Sequence, residues 1–340
     1  SDLTAGIEFN QDKLEDNMWG YNRTVDQKVN IGSAFFQNEW KNEHWGFLIG
    51  GRLDKHNLID HVIFSPRANL RYNPTENINL RFSYSSGFRA PQAFDEDLHV
   101  ENVGGNVAMV ELADNLKEER SQSLSASADI YHRFGAFQVN FLVEGFYTKL
   151  SDVFALTDGE VVDGILTRTR HNASGAQVLG LTLEGKMAYL NKIQVQAGVT
   201  LQQSHYSKPH IWNKEAPAVK KMMRTPNTYG YFTATYTPIK PLSIALSGTY
   251  TGSMLVPHEP VPGFLEKPIT VNTKDFFDIG LKAAYDFKLY KSMNLQVNAG
   301  VQNIFNAYQN DFDKGADRDS GYIYGPSLPR SFFAGVKISY

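Results

Sequence analysis

The residues best equipped for chemistry lie in irregular stretches of the chain. Asp311, Asp313, Asp317 and Asp319 crowd four carboxylates into one short segment, a supply of hard oxygen ligands suited to calcium. Gly315 falls where an EF-hand needs a ligand, and Lys314 and Arg318 offset half of the charge. A solvated acidic loop is therefore the competing reading. His205 and His210, followed by Trp212, Met222 and Met223, have the chemistry to touch a metal chelate, haem or an aromatic ligand. Loop-on-loop packing would use the same residues. Arg67, Arg71, Arg81, Arg89, Arg168 and Arg170 offer guanidiniums that either guide an anionic ligand or pair with carboxylates. His171-Asn172 is the one hint of hydrolase chemistry, and a loop-base position is the plainer reading. No nucleophile motif, phosphate loop or helical zinc pair appears. With no cysteine, thiol catalysis and thiolate metal sites are excluded. The expectation is a binding protein without catalytic residues or cofactor.

What positions these residues follows from the periodicity. The 340 residues are 13% aromatic and include 27 glycines, a bias toward strands. Mean hydropathy is −0.36. No apolar run approaches the roughly 18 residues of a membrane-spanning helix. Net charge is −3, so no basic field invites nucleic acid, and none is expected as a partner. Apolar residues recur at every second position: Phe332, Ala334, Val336, Ile338; Met293, Leu295, Val297, Ala299, Val301; Ile193, Val195, Ala197, Val199, Leu201. The intervening residues are mostly Gln, Asn, Lys and Ser. Such runs reach about ten residues, the length a tilted strand needs to cross a bilayer. Aromatics such as Tyr72, Tyr84, Tyr189, Tyr236, Tyr285 and Tyr340 end many apolar faces, where an interfacial girdle belongs. A soluble β-sandwich also alternates in this way, so the connections must decide.

Short and long connections alternate. Turns fall near 41–43, 73–76, 132–135, 190–192, 238–241 and 290–292. Longer stretches occupy 10–27, 54–60, 87–116, 151–174, 207–221, 255–273 and 306–329. Proline clusters such as 256–263 belong outside a sheet. Short turns on one side and long loops on the other describe an outer-membrane barrel. The expected fold is all-β, a transmembrane antiparallel up-and-down β-barrel of about fourteen strands in outer-membrane lipid.

Three stretches carry a family resemblance. Paired strands over 64–91 end in Gly87-Phe88-Arg89-Ala90-Pro91. Asn172 precedes Gly180-Leu181-Thr182-Leu183-Glu184. Asn303-Ile304-Phe305-Asn306 is followed by Pro329-Arg330 and a last strand ending in Tyr340. Their order and spacing resemble the carboxy-terminal barrel of TonB-dependent outer-membrane receptors, with a Bacteroidota-like flavour in the loops. The resemblance spans residues 1–340. It implies active uptake of a scarce nutrient, such as an iron-siderophore, haem or cobalamin-type chelate. It also implies an energising TonB complex that acts through an amino-terminal plug. Family barrels close about 22 strands around that plug. This chain has no plug-like segment, so it reads as the later part of such a barrel, with plug and about eight strands absent. Arg67, Arg71 and Arg81 would then face plug carboxylates or an anionic ligand. The alternatives are a complete fourteen-strand passive channel and a soluble β-sandwich binding protein.

Overall fold

The alternation is realised as strands throughout the computed structural model, which describes residues 1–94, 97, 107–290 and 292–340. The chain opens with β1 (Asp2–Met18), β2 (Arg23–Lys41), β3 (Trp45–His56), β4 (Ile63–Thr75) and β5 (Ile78–Arg89). After β6 (Val107–Leu112) come β7 (Glu119–Phe134), β8 (Phe137–Ser151), β9 (Phe154–Val162) and β10 (Ile165–Asn172). Then follow β11 (Ala176–Tyr189), β12 (Ile193–His210), β13 (Val219–Lys221), β14 (Thr228–Ile239) and β15 (Leu242–Thr251). The chain closes with β16 (Leu255–His258), β17 (Ile269–Asn272), β18 (Phe276–Lys288), β19 (Asn294–Gln302) and β20 (Ser331–Ser339).

Fourteen of these form one antiparallel wall, ordered β1-β2-β3-β4-β5-β7-β8-β11-β12-β14-β15-β18-β19-β20. The other strands belong to long connections: β6-β10-β9 form a small sheet, β16 and β17 a hairpin, and β13 pairs with β12. β1 and β20 are the two edges of the wall and do not pair with each other among the described residues.

Register carries the apolar parity from strand to strand. One row runs Trp40, Phe47, Leu70, Phe82, Ala126, Gly145, Leu181, Leu201. Another runs Phe134, Phe137, Tyr189, Ile193, Tyr236, Ile244, Ala283, Ala299, Ala334. Side chains on this face stand open: Ile7 is 89% exposed, Phe332 79% and Val336 67%. A soluble sandwich would bury that face under a second sheet. An apolar surface of this extent is instead a lipid-facing one. The opposite parity is hydrogen-bonded and polar. Tyr231 lies across Gly198, where a Cβ would meet the ring at 2.8 Å. Its hydroxyl donates to Glu184 and accepts from Gln196 Nε2 at 2.7 Å. Lys186 Nζ completes the group, 2.8 Å from Glu184.

The short turns fall where the alternation breaks. At the first, Asn42 Oδ1 accepts from the amides of His44 (2.9 Å) and Trp45 (2.7 Å). The long stretches are more ordered than expected. Residues 10–27 are not a loop: β1 and β2 stay paired from Asn10–Ile31 to Met18–Arg23, joined by the short turn Trp19–Tyr21. Beyond the bilayer both faces meet water, so the ladder continues without needing alternation. In the connection after β5, Phe94 and Asp97 bond to each other. Phe94 N donates to Asp97 Oδ2 at 2.7 Å and Asp97 N to Phe94 O at 2.9 Å. Residues 95–96 and 98–99 lie outside the described residues.

The Asn-Ile-Phe-Asn motif is a lock at the root of the last loop. Asn303 adopts φ 50° and is buried. Its Nδ2 donates to Ala307 O and Leu328 O, both at 3.0 Å, and its Oδ1 accepts from Ala307 N at 2.8 Å. Asn306 Oδ1 accepts from Arg330 N at 2.9 Å. The first turn of the loop is thereby tied to its return.

The two faces predict opposite responses to charge. Val297→Lys, on the lipid face, should cost about 2–4 kcal/mol in urea unfolding of the full-length protein in vesicles. Gln296→Lys, on the inner face beside Asp286, should stay within about 1 kcal/mol. Equal costs would contradict the assignment of faces.

Candidate ligand-binding site

On the long-loop side, β9 and β10 form an antiparallel hairpin, and β6 lies parallel to β10. This small sheet holds Arg168 and Arg170 two residues apart, on one face of β10. Arg170 Nη1 donates to Asp97 Oδ2 at 3.0 Å and its Nη2 lies 2.9 Å from Asp97 Oδ1, and both side chains are buried. A buried charge-assisted pair of this kind holds the guanidinium in place. Arg89, at the end of β5, lies over the Phe94 ring at 4.0 Å and faces Phe154 at 5.5 Å. Arg170 addresses the same rings at 5.3 and 5.9 Å. Two cations thus share two aromatic faces, an arrangement that orients both. Arg168 approaches Glu259 at 3.7 Å, and Glu259 accepts from Asn213 Nδ2 at 2.9 Å.

These groups converge on a cavity of about 380 Å³, whose walls include Arg89, Phe154, Arg168, Arg170, His210 and Trp212. Burial, with the neighbouring His171, holds the His210 imidazole below the usual histidine range. The indole Nε1 of Trp212 is shielded from solvent and has no hydrogen-bond partner among the described residues. Guanidiniums, the Asp97 and Glu259 carboxylates and apolar rings thus lie side by side at this cavity.

The acidic loop braces this site. Asp313 Oδ2 contacts His258 Nε2 at 2.9 Å, and the His258 ring stacks on Tyr322 at 3.8 Å. Asp319 Oδ2 accepts from the Glu259 amide at 2.9 Å. Asp311 accepts from the Tyr324 hydroxyl at 2.6 Å. Burial and the Asp311 carboxylate push that phenol upward, keeping it a donor. Asp317 is exposed. Among the described residues no three acidic or imidazole groups converge as a metal site requires. Three of the four aspartates instead brace the β16–β17 hairpin and the residues around it, which present Pro257 and Glu259 to the cavity.

Of the residues singled out from sequence, Arg89, Arg168, Arg170, His210, Trp212 and Met223 meet at this cavity. His205 does not: it sits within β12 opposite Gln177 and Lys221. Arg67, Arg71 and Arg81 lie on the inner face of β4 and β5, where Arg71 faces Arg81 and Arg67 faces Ser85. Arg71 Nε is buried without a partner among the described residues. Arg81 Nε donates to Asn79 Oδ1 at 2.7 Å, and Asn79 Nδ2 donates to Asn73 Oδ1 at 2.8 Å, so Arg81 is tied into a polar chain. His171 touches Thr157 Oγ1 at 3.3 Å. Asn172 clips two loops together, donating to Lys117 O at 3.0 Å and Asp152 O at 2.8 Å. Phe94, Asp97, Phe154 and Glu259 escape sequence reasoning, because their partners are distant in the chain and no local spacing marks them.

A wall with one lipid-facing parity and a polar inner face, its long connections gathered on one side, has the architecture of an outer-membrane β-barrel. The family model described as TonB dependent receptor-like, beta-barrel, matches residues 1–304, and the chain belongs to that family. Such barrels lie in the outer membrane of Gram-negative bacteria. Comparison by sequence with curated proteins gives no match. Among solved structures, the siderophore receptor PirA from Acinetobacter baumannii superposes with a TM-score of 0.68 at 17% identity, covering 98% of this chain and 51% of that one. A variant of the ferric enterobactin receptor PfeA from Pseudomonas aeruginosa gives 0.67 at 18% identity, covering 99% and 50%. The ferric-catecholate import receptor Fiu from E. coli K12 gives 0.68 at 16%, covering 98% and 51%. At these identities the likeness is one of fold. The chain spans about half the length of these structures.

Breaking the buried ion pair tests how the site is held. Arg170→Ala removes the guanidinium that Asp97 meets in the interior and should destabilise the outer sheet locally by about 3–5 kcal/mol. Hydrogen exchange should accelerate in β6, β9 and β10 while the wall strands keep their protection. Unchanged exchange in β10 would contradict the assigned role.

Proposed function

We propose that this chain forms the wall and outer binding surface of a TonB-dependent receptor for active uptake of a scarce nutrient, an anionic iron chelate of the siderophore class. One observation carries the reading: three guanidiniums and the rings of Phe154 and Trp212 line a single cavity on the long-loop side of the barrel. A catecholate chelate carries negative charge on planar rings, so it matches cations and aromatic faces at once. The names of the similar structures point the same way, being a siderophore receptor, a ferric enterobactin receptor and a ferric-catecholate importer.

In this mechanism the chelate settles first among the outer loops. Charge-assisted contacts from Arg89, Arg168 and Arg170 hold it, and the rings exclude water from one side. Passage then follows the polar inner face, where Arg67, Arg71, Arg81 and the Glu184–Lys186 pair keep water-facing charge along the wall. The energising complex would act through a plug segment in the lumen. The chain binds and conducts; it makes and breaks no covalent bond in its cargo.

Uptake of radiolabelled iron, supplied as ferric enterobactin to cells producing the full-length protein, tests this reading. Uptake should saturate and stop when an uncoupler collapses the proton gradient. The double variant Arg89→Ala/Arg168→Ala should weaken apparent affinity roughly a hundredfold, about tenfold for each guanidinium removed. Non-saturating uptake that ignores the uncoupler would identify a passive channel instead.

A further inference from the structure

His205, which the arginine pocket leaves aside, belongs to a row on the lipid-facing side of the wall. Register places Gln122 of β7, Lys149 of β8, Gln177 of β11, His205 of β12 and Lys221 of β13 side by side. Cross-strand partners share a face, and this face carries the parity of Leu181 and Leu201. Two residues nearer the short turns, the same strands carry Leu124, Tyr147, Leu179 and Gln203. The next row down is Ala126, Gly145, Leu181 and Leu201. The face thus changes from apolar side chains to amides and cations over a few residues of each strand.

The height of the row identifies what it meets. At the short-turn end the apolar face closes on Phe134, Phe137 and Tyr189. Along β11, the roughly ten residues from Tyr189 up to Leu179 rise about 26 Å at a strand tilt of about 40°. An outer-membrane barrel presents an apolar band about 25 Å tall. The row of Lys149, Gln177 and His205, one step beyond Leu179, therefore stands at the lipid headgroups. Long loops face outward, so these are headgroups of the outer leaflet.

The row holds three basic side chains and no carboxylate. Gln122, Lys149 and Gln177 are exposed, and His205 and Lys221 are half-buried. Among the described residues, the side chains of Lys149, His205 and Lys221 make no hydrogen bond or ion pair. Arg120, one row above on β7, is by contrast held by Glu118 at 2.7 Å.

We propose that this row docks the phosphate of a phosphorylated lipid in the outer leaflet. The two ammonium groups, the imidazole and the neighbouring amides supply donors to the phosphate oxygens, while the acyl chains lie along Leu124, Tyr147, Leu179 and Leu181. Charge complementarity selects an anionic headgroup, and the apolar rows beneath it select a lipid over a soluble phosphate. The inference rests on the lipid-facing parity and is independent of what the receptor imports.

Native mass spectrometry of the full-length protein in detergent reads the affinity of the first lipid bound. Phosphatidic acid should bind roughly tenfold more tightly than phosphatidylcholine with the same acyl chains. The double variant Lys149→Gln/Lys221→Gln should bring the two lipids within about twofold of each other. Its unchanged affinity for phosphatidylcholine also reports an intact wall. Arg133→Gln/Lys240→Gln, an equal loss of exposed charge at the short-turn rim, should keep the preference. Equal binding of the two lipids to the unmodified protein overturns the proposal, as does a preference that survives the lysine variant or is lost equally in the rim variant. Inorganic phosphate at the concentration of the lipid should not displace phosphatidic acid; displacement would mark a free-anion site and overturn the lipid assignment.

Discussion

In hydrocarbon there is no water to satisfy a backbone N–H or C=O, so each must find its partner within the sheet. The rest of this molecule depends on that constraint. It forces long paired strands, and pairing forces register, because a slip of one residue would exchange the two faces. The rows that run from Trp40 to Leu201 and from Phe134 to Ala334 are its visible consequence. Each wall strand keeps its apolar parity against that of its neighbours, so one continuous surface can meet lipid.

Once the wall is set, the loops are free to do chemistry. Long connections emerge on one side only, and their roots are fastened by individual asparagines. Asn303 and Asn306 close the last loop, and Asn172 clips 117 to 152. These fastenings let stretches far apart in sequence meet reproducibly. Arg89 arrives from the end of β5, Arg168 and Arg170 from β10, and Trp212 from the loop after β12. The acidic stretch contributes at one remove, with Asp313 and Asp319 steadying His258 and Glu259.

What was legible in the sequence follows the same physics. Where lipid is present, alternation is imposed, and strands such as β12 and β19 can be read residue by residue. Where both faces see water, alternation fades while hydrogen bonding continues. That is why 10–27 looked like a loop and is a hairpin, and why β9, β10, β16 and β17 were not anticipated inside long connections. Mean hydropathy misleads for a related reason: the two parities cancel in the average, so a value of −0.36 is compatible with a membrane wall. Of the site, the cationic and aromatic residue types stood out, because arginine, histidine and tryptophan carry recognisable chemistry. Their grouping did not. Nothing in local spacing joins Asp97 to Arg170 or Glu259 to Arg168, and nothing separates His205 from His210 except the geometry of β12.

These 340 residues contain no cysteine, which allows the central claim to be tested directly. Single cysteines placed in turn at 294–301 of the full-length protein in vesicles can carry a nitroxide label. Collision with oxygen, which concentrates in lipid, and with a water-soluble nickel chelate then reports the surroundings of each position. The two-faced wall predicts strict alternation, with oxygen favoured at Leu295, Val297, Ala299 and Val301 and nickel favoured at Asn294, Gln296, Asn298 and Gly300. A uniform response along the strand, or alternation of the opposite phase, would contradict it.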